Sequence, residues 1–159
     1  MYFTCRAIFL TNGNKPEAPV SLTYSIAVVW DSVWLAFLVA ELNEFDVMAC
    51  DIGNAYPNVP CKDNIWFKSG TECSDHQGKV MILVQAIYGL KTSGETWRLM
   101  FKDFIEENLN FKSTKIDHDV YIIRNRRENG TEYYELFLVY VYDVLAVSHS
   151  PESIIIDIG

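Results

Sequence analysis

In the stretch ELFLVYVYDVLAVSH, Glu135 to His149, two apolar runs flank a single acidic residue, Asp143, with the aromatic Tyr142 just before it. Runs this short and this rich in β-branched and aromatic residues read as strands, here Tyr133 to Val141 and Val144 to Val147. The break between them has room only for a tight turn, so the two strands form an antiparallel hairpin. Its arms belong in a core, yet its tip carries a carboxylate, and any fold for this chain has to accommodate both.

The chain has the material for that core. At 159 residues it fits one domain, which at this size buries roughly 68–70% of the surface exposed by the unfolded chain. Half of the residues are hydrophobic (50%) and 14% are aromatic, which is enough to fill an interior. Thirteen basic against 21 acidic side chains leave a net charge of −8. That charge gives no electrostatic footprint for nucleic acid or an anionic membrane and counts against a polynucleotide ligand. The longest apolar runs, Val33 to Ala40 and Phe137 to Tyr142, fall far short of the ~20 residues of a membrane-spanning helix. The start, MYFTCRAIFLTNG, lacks a basic leader and a small-residue cleavage pattern, so no signal peptide is expected.

Cys5, Cys50, Cys61 and Cys73 contain no C-x-x-C pair, which argues against a redox dithiol or a zinc site. Cys61, Cys73 and His76 could be offered as three metal ligands, but a structural zinc site wants closely paired ligands and a fourth partner. Reduced thiols are the expectation. Asn129-Gly130-Thr131 matches a glycosylation acceptor, but Asn-Gly between two strand-like runs is the preferred two-residue hairpin turn.

Along the chain, Met1 to Pro19 reads as irregular because Gly13, Pro16 and Pro19 interrupt any period. From Ser32 the residues Val33, Leu35, Ala36, Phe37, Val39, Ala40 and Leu42 make a helix that Asp31 can cap; its apolar content nearly encircles it, which predicts burial. Asp46 to Ile52 reads as a strand buried on both faces, with further strands at Ile65 to Lys68 and Val80 to Val84. Ser93 can cap an amphipathic helix carrying Trp97, Met100, Phe101, Phe104, Ile105 and Asn108 at helical spacing. Val120 to Arg124 then pairs with the first arm of the hairpin.

If the strand ending in Asp51 lies beside the hairpin carrying Asp143, two carboxylates from distant parts of the chain meet at one sheet edge. Convergence of this kind suits magnesium and phosphate chemistry, since Mg²⁺ takes a few carboxylate oxygens and leaves its other positions to water and phosphate. Spacing alone leaves a second reading open, in which each aspartate simply ends its strand.

Two further stretches, DIGNAYPNVP (Asp51 to Pro60) and QAIYGLKTSGETW (Gln85 to Trp97), change the balance. With TYS, DSVWLAFLVAELNEFDV, FKST, TEYYE and VYVYDVLAVSH in the same order, the chain resembles the reverse transcriptases of copia-type LTR retrotransposons over about Ser21 to Pro151. The resemblance implies an α+β palm, a mainly antiparallel sheet backed by two helices, with fingers and thumb truncated. It divides the chain into an irregular segment 1–20, a palm with partial fingers 21–151 and a tail 152–159. It implies Asp51 as the first catalytic aspartate, a ligand of two Mg²⁺ ions, and Asp143 as a more peripheral ligand. Tyr56 matches the aromatic under the sugar of the incoming nucleotide, and Gly89 the loop glycine near nucleotide and template, with Tyr88 and Lys91 lining the same pocket. The implied partners are an RNA or DNA template with its primer, a deoxynucleoside triphosphate and other element-encoded proteins. The implied location is intracellular, in a cytoplasmic particle or the nucleus.

At the tip of the hairpin the chain departs from the family. The family writes Tyr-Val-Asp-Asp where this chain has Tyr140-Val141-Tyr142-Asp143. Tyr142 therefore stands at the position of the lost aspartate, which implies an RNA-directed DNA polymerase domain that is inactive as written. Trp30 and Trp34 stand where relatives usually carry basic residues, and Pro57 where they carry an apolar one. The alternative is a non-catalytic binding or scaffold module, and beneath both lies a translated relic.

Overall fold

A computed structural model of the protein describes residues 27–158. The segment Met1 to Pro19 and the Ser21 start of the resemblance lie outside the described residues. In chain order the elements are α1 (Trp30–Asn43), β1 (Asp46–Asp51), β2 (Trp66–Lys68), β3 (Val80–Ile82), α2 (Ser93–Glu107), β4 (Lys112–Ser113), β5 (Val120–Arg126), β6 (Glu132–Tyr140), β7 (Asp143–Ser148) and α3 (Pro151–Ile156). They fall into two compact units: a smaller one of residues 54–97, and a larger one of residues 27–53 and 98–158.

The larger unit is built on an antiparallel sheet in the order β1-β7-β6-β5-β4. Successive strand residues point to opposite faces, and the two faces meet different helices. On one face Leu138 and Val147 pack with Ala36, Ala40, Phe45 and Val28 in and around α1. On the other, Phe137 meets Phe101 of α2 and Phe111, with ring centres 6.4 and 5.9 Å apart. Ile105 and Tyr121 are fully buried. Short α3 packs against β1 and β7 in the stretch expected to be a tail. The expected α+β class, a mostly antiparallel sheet with helices against it, is what the chain forms.

Several local expectations are corrected. α1 begins at Trp30, and Asp31 lies in its first turn without capping it. The cap comes from far along the chain: Asp117 Oδ2 accepts the Val29 N–H (3.1 Å) and the Ser32 hydroxyl (2.7 Å). Nor is α1 buried all round. Ala36 and Ala40 are buried, whereas Trp30 and Trp34 are 71% and 68% exposed and Leu35, Leu38 and Leu42 are exposed too. The sheet offers α1 one face, so the stripe of Ala36 and Ala40 packs on it while Trp34, Leu35, Leu38 and Leu42 stay largely exposed. β1 is half-exposed rather than buried on both faces because it is the sheet's edge strand.

Ser93 is the first residue of α2, and its hydroxyl donates to the Ile87 carbonyl (2.9 Å) instead of capping the helix. The Asn-Gly turn is also longer than expected. Arg127 N–H bonds Thr131 O, Gly130 N–H bonds Arg127 O, and Gly130 has φ 87°. This is a three-residue loop, a type I turn closed by a left-handed glycine.

In the smaller unit β2 and β3 form a separate two-stranded antiparallel sheet. The Thr92 hydroxyl donates to Asp63 (2.6 Å), and Ala55, Val59, Ala86 and Leu90 are buried. Among the described residues no helix is long and apolar enough to cross a membrane.

Candidate active site

The β6–β7 hairpin turns on two residues, Val141 and Tyr142, between the paired Tyr140 and Asp143. Val141 is therefore in the turn and not in the strand where its apolar character placed it. It has φ 59°, and the other turn residue does not share the positive sign. That is the type II′ pattern, whose first position favours glycine. A β-branched residue there carries strain of about 1–3 kcal/mol and persists only where its surroundings hold it. Here they do: Tyr142 O accepts the Ile52 N–H (2.9 Å), Val139 O accepts the Val28 N–H (3.1 Å), and the Val139 N–H donates to Asp119 O (2.9 Å).

The structure places Asp51 directly opposite Asp143 at the β1–β7 edge. The Ile52–Tyr142 bond lies one residue beyond this pair, which makes it a non-hydrogen-bonded pair, the closer kind, with Cα atoms about 4.5 Å apart. Both side chains are exposed on one face, and like charges so placed oppose each other. Tyr142 supplies a phenol beside them in the turn. Two carboxylates and a phenol do not make up the donor set of a two-cation centre. Among the described residues no group of three or more His, Cys, Asp or Glu gathers where it could hold a metal.

The other expected residues lie in the smaller unit. Tyr56 opens a one-turn 3₁₀ segment, Tyr56–Asn58, in which Pro57 sits at the start, where its missing N–H is no loss. The rings of Tyr56 and Tyr88 are 4.8 Å apart, so the fold brings these two together. Gly89 has φ 90°, a conformation that residues with a side chain avoid. Lys91 is exposed.

Sequence reasoning missed a buried polar network behind the hairpin. Asp119 is fully buried; Arg98 Nε donates to its Oδ1 at 2.9 Å, while Oδ2 has no hydrogen-bond partner among the described residues. Burial pushes the Asp119 carboxyl above its ordinary range, and the hydrogen bond and charge of Arg98 only partly oppose this. Burial and nearby Asp119 likewise raise the Tyr121 phenol well above the usual value. The only signal in the sequence was the Asp-His-Asp spacing of residues 117–119 ahead of an apolar strand.

The arginines among the described residues are largely engaged within the fold. Arg124 and Arg126 both bind Glu132, and Arg127 lies 5.7 Å from the centre of the Tyr133 ring and reaches Asn43 O.

A family model described as reverse transcriptase (RNA-dependent DNA polymerase) matches residues 13–158. No curated protein and no solved structure matches the chain.

Proposed function

Because this chain belongs to the reverse transcriptase (RNA-dependent DNA polymerase) family, we propose that it is a copia-type palm that keeps the polymerase framework without the chemistry. The observation that carries this reading is Tyr142 in the hairpin turn, next to the directly opposed Asp51 and Asp143. In RNA-directed DNA synthesis a primer 3′-hydroxyl attacks the α-phosphate of a deoxynucleoside triphosphate and pyrophosphate leaves. The protein's contribution to such a step is positioning and charge stabilisation. Asp51 and Asp143 remain to provide charge at the edge, but the donor set is short of one carboxylate. No step through a metal pair follows from the residues present. Tyr56 fits the role of a flat floor under a deoxyribose, which leaves no room for a 2′-hydroxyl, and Tyr88, Gly89 and Lys91 belong to the same nucleotide-facing group.

The partner in this reading is a primer–template, held weakly, inside the cell in a particle or the nucleus. Affinity for nucleic acid comes mainly from cations that release counterions. Here the net charge is −8, and Arg98, Arg124 and Arg126 are already paired with carboxylates. The expected dissociation constant for a labelled primer–template is weaker than about 1 μM at physiological salt, with binding largely lost on moderate salt addition. Fluorescence anisotropy over a salt series measures it, and nanomolar binding at physiological salt would overturn the assignment of weak affinity.

A second reading, a scaffold that associates only with protein, is favoured by the exposed apolar side of α1. Association with protein partners and no detectable affinity for primer–template at low salt would select it.

A further inference from the structure

A cavity of about 370 Å³ opens between α1 and the sheet of the larger unit, on the same face as Asp143. Val28, Val33, Ala49, Leu138 and Leu145 are among the apolar side chains that line it. Its exposed lining is aromatic, with Trp30, Phe37 and Tyr140, and the tyrosine is 52% exposed. Asp143 is its one charged lining residue among those described.

An apolar cavity of this size, with few polar groups, is at the small end of those that hold organic ligands. Its chemistry selects further. The faces of aromatic rings attract cations, and a carboxylate at the edge adds to that attraction. Anions are disfavoured, since Asp51 stands directly across the ladder from Asp143. A nucleotide, with its phosphates, is the wrong ligand for this cavity.

We propose that the cavity binds a small organic cation, an ammonium carried on an aromatic or compact aliphatic body. The apolar body occupies the space walled by Ala49, Leu138 and Leu145, and the ammonium lies among Trp30, Tyr140 and the Asp143 carboxylate. The proposal is independent of whether the chain polymerises. Its consequence for the edge is that a bound cation neutralises part of the charge of the Asp51–Asp143 pair.

The test uses the full chain and isothermal titration calorimetry with three probes of similar body: benzyltrimethylammonium, neutral benzyl alcohol and anionic phenylacetate. The expected result is saturable binding of the cation at about 1 mM or tighter. It should bind about tenfold more tightly than the alcohol, with no binding of phenylacetate. Asp143→Asn should lower cation affinity about tenfold and leave the alcohol unchanged. Ala49→Phe, which adds a ring to the cavity wall at an exposed position of the edge strand, should weaken binding of both. Trp30→Ala, also at an exposed position, should weaken cation binding and serves in place of the Ala49 variant if that protein does not fold. Absence of saturable cation binding, equal affinity for phenylacetate, or an Asp143→Asn protein that binds the cation unchanged would each overturn the proposal.

Discussion

Arg98→Ala is expected to destabilise the larger unit by about 3 kcal/mol at neutral pH, because it leaves the Asp119 carboxylate buried without its ion-pair partner. The damage should spread along the backbone, since Asp119 O holds Val139 N–H just ahead of the hairpin turn, and Asp119 N–H bonds Asp117, which caps α1. The effect also has a definite pH dependence. The folded-state value of Asp119 lies above its unfolded value, so the folded chain holds the proton more readily. This group's contribution to stability is greatest in acid and falls as pH rises from the ordinary aspartate value of about 3.9. Removing Arg98 removes the interaction that opposes this rise. The cost of Arg98→Ala should therefore be small near pH 3 and grow towards neutrality. Urea unfolding of both proteins across that range checks it. Arg98→Met with Asp119→Leu should recover much of the loss, as replacement of a buried pair by apolar residues often does. A cost independent of pH would show that Arg98 acts through the packing of its stem alone.

The elements that could be read from the sequence are those whose signal is local. The short continuous apolar runs of β6 and β7, the amphipathic spacing around Phe101 and Ile105, and the strand ending in Asp51 each carry their structure within a few residues. The features that misled depend on what lies across space. α1 looked encircled by apolar residues, but the number of layers available to cover it is a property of the sheet, and one layer buries only Ala36 and Ala40. Its cap is Asp117, 88 residues from Val29 in sequence, so the nearby Asp31 was the wrong candidate. Val141 looked like strand because valine prefers strands, and the surrounding hydrogen bonds hold it in a turn conformation that valine avoids. The pairing of Asp51 with Asp143 could be anticipated from strand ends, whereas the Arg98–Asp119 ion pair could not, since neither residue shows a periodic pattern that links a helix to a distant strand.

Tyr142 is the position where a single change should have the largest effect on function. On the proposed reading, a neutral phenol stands in place of an anionic ligand, which takes an oxygen donor and a charge from an edge where two carboxylates already oppose each other. In that reading the loss concerns the chemical step, so tighter binding elsewhere would not restore it. The isolated chain is expected to extend no primer with Mg²⁺ or Mn²⁺. When its palm is grafted into a complete copia-type enzyme, the version with Tyr142 should be inactive and the Tyr142→Asp version should regain synthesis, a difference of at least about 10³-fold, as for removal of a group that acts in the transition state. Tyr142→Phe separates charge from size: it keeps the ring and removes the hydroxyl, and should be as inactive as the parent graft. Single-nucleotide extension of a labelled primer on an RNA template, with the three grafts side by side, measures the difference. Equal extension by the parent graft and the Tyr142→Asp graft would mean that Asp51 and Asp143, held opposite each other by the Ile52–Tyr142 bond, suffice for the chemistry.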